Sequence, residues 1–280
     1  MKQKPFGCSG INVPVIGMGT WKTECDDKKE VIEAIQRGLD LGMVHLDTAE
    51  LYGTGEVEEI VGKAIDQKRE KVFLASKVLP YNATFEGTLK ACERSLKRLC
   101  TDHLDLYLLH WRDGQSLEET FRAFEDLKRH GKIRMYGVSN FDVEDLKEAI
   151  AIVGEDKIAC NQVLYHLKER SIEHKVIPFC EEHKIAVVGY SPFAQGHFWD
   201  SKPEGDKVLQ KIAKSHRATP RQTALAFLTR KESLFTIPKA SKIKHVEENC
   251  ISVELKLSHE DIHEIKRVFP LGSFCGLPML

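Results

Sequence analysis

The stretch VFLASKVLPYNATFEGTLKACERSLKRLCTDHLDLYLLH, residues 72–110, contains one complete unit of the fold. It opens on an apolar run, VFLASK (72–77), and closes on another, LDLYLLH (104–110). Neither alternates polar with apolar, which is how strands read when a parallel sheet is covered on both faces. Between them, Leu89, Cys92, Leu96 and Leu99 line up at helical spacing, while Lys90, Glu93, Arg94 and Lys97 face water.

The same strand-then-helix unit recurs on either side. The runs VIGMG (15–19), VHLDT (44–48), RMYGVS (134–139), IACNQ (158–162), AVVGYS (186–191) and LFTIP (234–238) bring the number of candidate strands to eight. In DDKKEVIEAIQRGLDLG (26–42), Val31, Ile32, Ile35 and Leu39 form one apolar face, acidic residues lead, and Gly42 offers a stop. Thr219-Pro220-Arg221-Gln222 and Ser258-His259-Glu260-Asp261 read as helix starts, each a hydroxyl followed three residues on by a polar acceptor. Strict alternation without a break in composition predicts one α/β domain over residues 1–280. Periodicity does not separate a closed barrel from an open doubly wound sheet, but the count favours a (β/α)8 TIM barrel. PFGCSGINVP (5–14) predicts a small hairpin turning at Ser9-Gly10 that plugs the barrel's bottom.

Composition narrows the class. The 280 residues are 42% hydrophobic and 30% charged, the balance of a globular chain. A net charge of −1 gives no global attraction to nucleic acid or anionic membrane. The eight cysteines are scattered, with no CxxC pair and no zinc spacing, so they read as reduced thiols and no metal is expected. The opening MKQKPFGCSGINVP lacks the apolar core of a secretory signal, and no run approaches the ~20 apolar residues of a membrane span. A cytoplasmic protein without membrane or nucleic-acid partners is the expectation.

In a barrel, residues at the carboxyl ends of the strands surround the mouth. The second strand ends in Asp47 and continues through TAELYG to Tyr52, the third ends in Lys77, and the fourth ends in His110. Singly each has an ordinary explanation: a turn former, a packed ring, a solvated charge, a structural histidine. Together, four titratable types on three consecutive strands suit protonation of an oxygen. At about 4 Å and an effective dielectric near 20, Lys77 lowers the phenol of Tyr52 by up to about three pKa units before desolvation opposes it. Asp47 would hold Lys77 charged and His110 would hydrogen-bond a substrate oxygen. No side chain offers a hydride, so carbonyl reduction requires a nicotinamide cofactor.

At this point the chain resembles the aldo-keto reductase superfamily over nearly its whole length. The segments that carry the resemblance are GMGTWK (17–22), HLDTAELYG (45–53), SK (76–77), LLHW (108–111), GKIRMYGVSNF (131–141), NQVLYH (161–166), GYSPFAQG (189–196) and IPKASKIKHVEEN (237–249). The resemblance implies an NADP-dependent reductase of aldehydes or ketones, with Tyr52 as general acid/base, Asp47 and Lys77 as its support, and His110 orienting the carbonyl. It implies that Thr20 lies at the cofactor, that Ser139, Asn140 and Gln162 hold the carboxamide, and that Tyr190 stacks on the nicotinamide. Ser191, Phe193 and Gln195 would lie near the pyrophosphate, and Lys239, Ser241, His245, Glu248 and Asn249 at the adenosine end. Trp21, Leu51, Leu79 and Trp111 would wall the substrate site. Ala240 and His245 stand where many members carry serine and arginine, and Leu164 and Leu167 where Glu and Pro are common. Arginine is the better planar partner for a 2′-phosphate. NADPH is expected to be preferred with Lys239, Lys242 and Lys244 compensating, while NAD is the second choice.

Two other readings compete. The family includes channel-associated proteins, so a cofactor-binding regulatory or channel-associated subunit with the same fold is the alternative. A cofactor-free barrel hydrolase would need a nucleophile or metal cluster that the sequence does not offer; His45 and Asp47 share a side of their strand at different depths. A monomer acting on a small molecule is the expectation.

Overall fold

The computed structural model describes residues 1–199, 203–273 and 276–279. Two short antiparallel strands, β1 (Gln3–Pro5) and β2 (Asn12–Pro14), form the expected hairpin, with Gly10 left-handed at its turn (φ 73°). Phe6 has no exposed surface and meets Phe73 and Phe235 edge-on, each with centroids 5.1 Å apart. Both rings lie at the amino-terminal ends of barrel strands, so the hairpin stoppers the bottom. Lys4 anchors it, its ammonium donating to Thr229 O at 2.7 Å.

Eight parallel strands follow: β3 (Met18–Gly19), β4 (His45–Asp47), β5 (Phe73–Val78), β6 (Leu104–Leu109), β7 (Ile133–Ser139), β8 (Ile158–Leu164), β9 (Ala186–Tyr190) and β10 (Leu234–Thr236). They are hydrogen-bonded in chain order. Bridges between Ile16 and Thr236 and between Gly19 and Lys239 join the first strand to the last, with Thr236 N–H donating to Val15 O at 3.0 Å. The sheet therefore curls back on itself as the barrel reading requires. The first run shrinks from 15–19 to Met18–Gly19 because Val15 to Gly17 pair instead with the last strand. The last run stops at Thr236, two residues before a proline that has no N–H to give a ladder.

Helices cover the sheet: α1 (Lys28–Asp40), α2 (Glu56–Ile65), α3 (Phe85–Leu99), α4 (Leu117–Arg129), α5 (Val143–Val153), α6 (Val176–Glu182), α7 (Pro203–Ser215), α8 (Pro220–Leu228), α9 (Ile243–Ile251) and α10 (His259–Val268). The helix faces follow the spacing: in α3, Cys92, Leu96 and Leu99 are buried and Leu89 is partly so. Thr219 and Ser258 cap α8 and α10, each accepting from a backbone N–H three residues on and receiving a side-chain acceptor in return. The α4 face packs Phe124 on the Tyr136 ring of β7, centroids 5.5 Å apart. Among the described residues no helix is long and apolar enough to cross a membrane, and the described cysteines form no disulfide. Cys275 lies outside the described residues.

Candidate active site

Parallel register places the polar strand ends on one rim. Asp47 closes β4, Lys77 is the penultimate residue of β5, His110 follows β6, and Ser139 closes β7 directly opposite Gln162 of β8. Lys77 has no exposed side-chain surface, and its ammonium donates to Asp47 Oδ1 at 2.6 Å, to Thr48 O at 2.8 Å and to Tyr52 Oη at 3.3 Å. The other oxygen of Asp47 accepts from Gln162 Nε2 at 2.8 Å, and its backbone oxygen from Thr20 Oγ1 at 2.9 Å. The His110 ring stands edge-on to the Tyr52 ring, centroids 5.9 Å apart. All four candidate catalytic residues, with Thr20 and Gln162, therefore form one connected group.

The loop after β4 sets the tyrosine. Gly53, Thr54 and Gly55 are successively left-handed (φ 55°, 54° and 96°), which turns the chain sharply from Tyr52 into α2. The φ of 96° at Gly55 is a conformation that strains any other residue, and a Cβ there would also push on the Arg98 side chain, 2.6 Å from its Nε. Two buried carboxylates then tie this loop and helix to β5 on either side of Lys77. Glu50 Oε1 accepts from Leu79 N–H at 2.8 Å and from Asn82 Nδ2 at 2.9 Å, and Arg94 approaches Oε2 at 3.4 Å. Glu58 accepts from Ser76 Oγ and Arg98 Nε, both at 2.6 Å. The sequence reading gave neither glutamate a role. Glu50 stands between Ala49 and Leu51 and Glu58 in the acidic run Glu56-Val57-Glu58-Glu59, and neither setting reveals a partner.

Electrostatics corrects one expectation. The Tyr52 phenol lies above its ordinary value, not below it, because burial outweighs the pull of Lys77, and Asp47 pushes the same way as burial. Burial opposes the charge on Lys77, but Asp47 and Tyr52 raise its pKa, so it stays an ammonium. Burial, with Lys77 adding to it, holds His110 well below the usual histidine range, so its imidazole is neutral at pH 7. Its Nδ1 is buried without a partner among the described residues. The arrangement thus presents a protonated phenol and a neutral imidazole at the mouth, with a fixed positive charge behind the phenol.

The carboxamide candidates cluster beside this group. Ser139 Oγ donates to Gln162 O at 2.9 Å, Asn140 N–H donates to the same oxygen at 2.8 Å, and Asn140 Nδ2 lies 3.3 Å from Ser139 Oγ. Asn140 is left-handed (φ 58°), and its Oδ1 accepts from Tyr190 Oη at 2.9 Å. Such mixed donors and acceptors beside a half-buried aromatic ring match the chemistry of a nicotinamide carboxamide. Ser191 and Gln195 are also left-handed (φ 52° and 54°), and Phe193 lies between them in sequence with the Arg221 guanidinium 5.3 Å from its ring. Lys239 and Ser241 both donate to Asp26 Oδ2. His245 Nδ1 is 3.8 Å from Glu248 Oε2, Glu248 Oε1 accepts from Thr219 Oγ1 at 2.6 Å, and Asn249 is buried. Of the wall candidates, Leu51 is 41% exposed and Leu79 is 3% exposed. The Trp111 ring lies 5.0 Å from that of His110, and Trp21 carries the Lys22 ammonium 4.3 Å from its centroid. The His45 ring packs edge-on against Phe6 and Phe73, on the hairpin side of the barrel, and makes no hydrogen bond to Asp47 among the described residues, which does not favour the hydrolase reading.

Residues 15–269 match the sequence profile of the Aldo/keto reductase family. Methylglyoxal reductase YeaE of Escherichia coli (strain K12) is 40% identical over 273 residues, 96% of each chain. Glyoxal reductase of Bacillus subtilis (strain 168) is 35% identical over 257 residues, 92% of this chain and 89% of the relative. An aldo-keto reductase from Klebsiella pneumoniae, solved in complex with NADPH, superposes over 100% of both chains with a TM-score of 0.94 at 38% identity. Matched over most of its length by family profile, sequence and fold alike, the chain belongs to the aldo/keto reductase family.

Proposed function

We propose that this chain reduces small aldehydes, foremost 2-oxoaldehydes of the methylglyoxal and glyoxal type, with NADPH, and that Tyr52 delivers the proton. NADP-dependent carbonyl reduction is the activity its family and relatives support. The observation that carries the assignment of Tyr52 is its hydroxyl, 3.3 Å from a fully buried Lys77 ammonium and kept protonated by burial.

When bound, the dihydronicotinamide supplies the hydride to the carbonyl carbon. Ser139, Asn140 and Gln162 would hold its carboxamide and Tyr190 would lie against its ring. Ser191, Phe193 and Gln195 would line the pyrophosphate, and Lys239, Ser241, His245, Glu248 and Asn249 the adenosine end. Neutral His110 donates a hydrogen bond to the substrate oxygen and orients it. Tyr52 gives its phenolic proton to that oxygen as charge develops there. Lys77 stabilises the phenolate left behind, Asp47 keeps Lys77 in place and charged, and water restores the phenol. Walls at Trp21, Leu51 and Trp111 would suit a small, partly apolar carbonyl compound, while Leu79, expected among them, is buried and offers a ligand little surface. A monomer working in the cytoplasm on small molecules, without nucleic acid or membrane, completes the reading.

The test is cofactor consumption with methylglyoxal, glyoxal and an aromatic aldehyde, run with NADPH and NADH side by side. Turnover of the 2-oxoaldehydes with NADPH is expected. Tight NADPH binding with no consumption at any pH at which the protein stays folded would favour a regulatory subunit instead, a reading that the complete set of Asp47, Tyr52, Lys77 and His110 does not favour.

A further inference from the structure

Barrel closure brings an acid onto the basic cluster assigned to the adenosine end. Gly19 bridges to Lys239, and Gly19 N–H donates to Pro238 O at 3.1 Å, so the loop leaving β3 runs beside the loop leaving β10. In the first loop, Thr23 Oγ1 donates to Thr20 O, and Asp26 N–H donates to Thr23 O at 3.1 Å. This fold of the loop turns the Asp26 carboxylate toward the second. One of its oxygens accepts from both Lys239 Nζ and Ser241 Oγ, the latter at 2.5 Å. The next residue, Asp27, caps α1 by accepting from Glu30 N–H, so the helix start does not depend on Asp26. Partial burial opposes the Asp26 charge, yet Lys239 and Ser241 hold its carboxyl below the usual range.

We propose that Asp26 is an internal anion that competes with the cofactor's 2′-phosphate for Lys239 and Ser241, and thereby limits the preference for NADPH over NADH. The inference rests on the cofactor assignment above. A 2′-phosphate brings close to two negative charges and three acceptor oxygens, and it must displace a carboxylate already seated on the same donors. NADH carries only a hydroxyl at that position and leaves the Asp26 pairing intact. Asp26 therefore opposes one cofactor and spares the other. The neighbouring substitution acts in the same direction: His245 stands where an arginine would add a permanent charge, and Glu248 faces it at 3.8 Å.

The experiment is calorimetric titration of the full chain with adenosine 2′,5′-bisphosphate and with adenosine 5′-monophosphate at one ionic strength, followed by NADPH and NADH. Asp26→Asn keeps the shape of the side chain and removes its charge. It should tighten the bisphosphate and NADPH by up to about five-fold, the scale of a half-exposed ion pair, and leave the monophosphate and NADH unchanged. Asp26→Ala should do the same, and the gain should vanish when Lys239→Ala is added. Unchanged or weaker bisphosphate binding in both Asp26 variants, with Lys239→Ala still weakening it, overturns the competition while leaving the cofactor site standing. Bisphosphate binding that ignores Lys239→Ala overturns both.

Discussion

At the proposed catalytic group, Lys77 has no exposed side-chain surface and lies on Asp47 and Tyr52; at the proposed adenosine end, Lys239 is 35% exposed and lies on Asp26. Lys77 lies inside β5 and pairs with the aspartate that closes β4, whereas Lys239 lies in the loop after β10 and pairs with an aspartate of the loop after β3. Burial makes them different devices. The first pair cannot be solvated if broken, so its geometry is fixed before any ligand arrives. The second exchanges partners with water or a phosphate at little cost. On the proposed assignment, the group that moves the proton is held rigidly, while the pair that would meet the 2′-phosphate remains adjustable.

Lys77→Met breaks this contrast most severely. It leaves the Asp47 carboxylate buried and unpaired, which should cost about 3–5 kcal/mol of stability by denaturant unfolding. Any residual turnover should have its alkaline limb at higher pH. The sign follows from the charges: the ammonium is the group that favours the phenolate, its loss raises the phenol further, and reduction needs the phenol protonated. Tyr52→Phe should lower carbonyl reduction by about 100-fold or more with cofactor affinity nearly unchanged, as measured by single-turnover kinetics and cofactor titration. Near-normal turnover of several aldehydes by that variant would sink the proton-donor assignment.

Glu50→Ala tests whether the rigidity of the catalytic end extends to the loop that carries Tyr52. It strands the Leu79 N–H, and about 1–3 kcal/mol of stability should go with it. Turnover should fall with KM for the aldehyde little changed, and Glu50→Gln, which retains an acceptor, should recover most of both. At the far end, Lys239→Ala should leave folding intact and reduce the preference for NADPH over NADH by roughly five-fold, the discounted value of a half-exposed charge. A large stability loss there would show that the two ends are not built differently after all.

Several features were legible in the sequence because they are local. The strand runs read as buried because each is apolar on both faces, and Asp47, Lys77 and His110 read as site residues because any barrel gathers its strand ends. Tyr52 followed from its place five residues beyond Asp47 and from the family resemblance. The strand limits were less legible: Val15 to Gly17 look like the body of the first strand, but their backbone groups serve the last one. Glu50 and Asp26 were not legible as parts of the site. The partners of Glu50 lie 29 to 44 residues away and those of Asp26 lie 213 and 215 residues away, and no spacing rule connects them.

The sequence by itself determined the alternating units, the family resemblance and which titratable groups crowd the mouth, since these depend on residue type and order. Only the tertiary structure decided the direction in which Tyr52 shifts. Lys77 alone predicts a lowered pKa, whereas burial and Asp47 raise it. The shift is set by distance and by exclusion of water, and neither quantity exists until the barrel has closed.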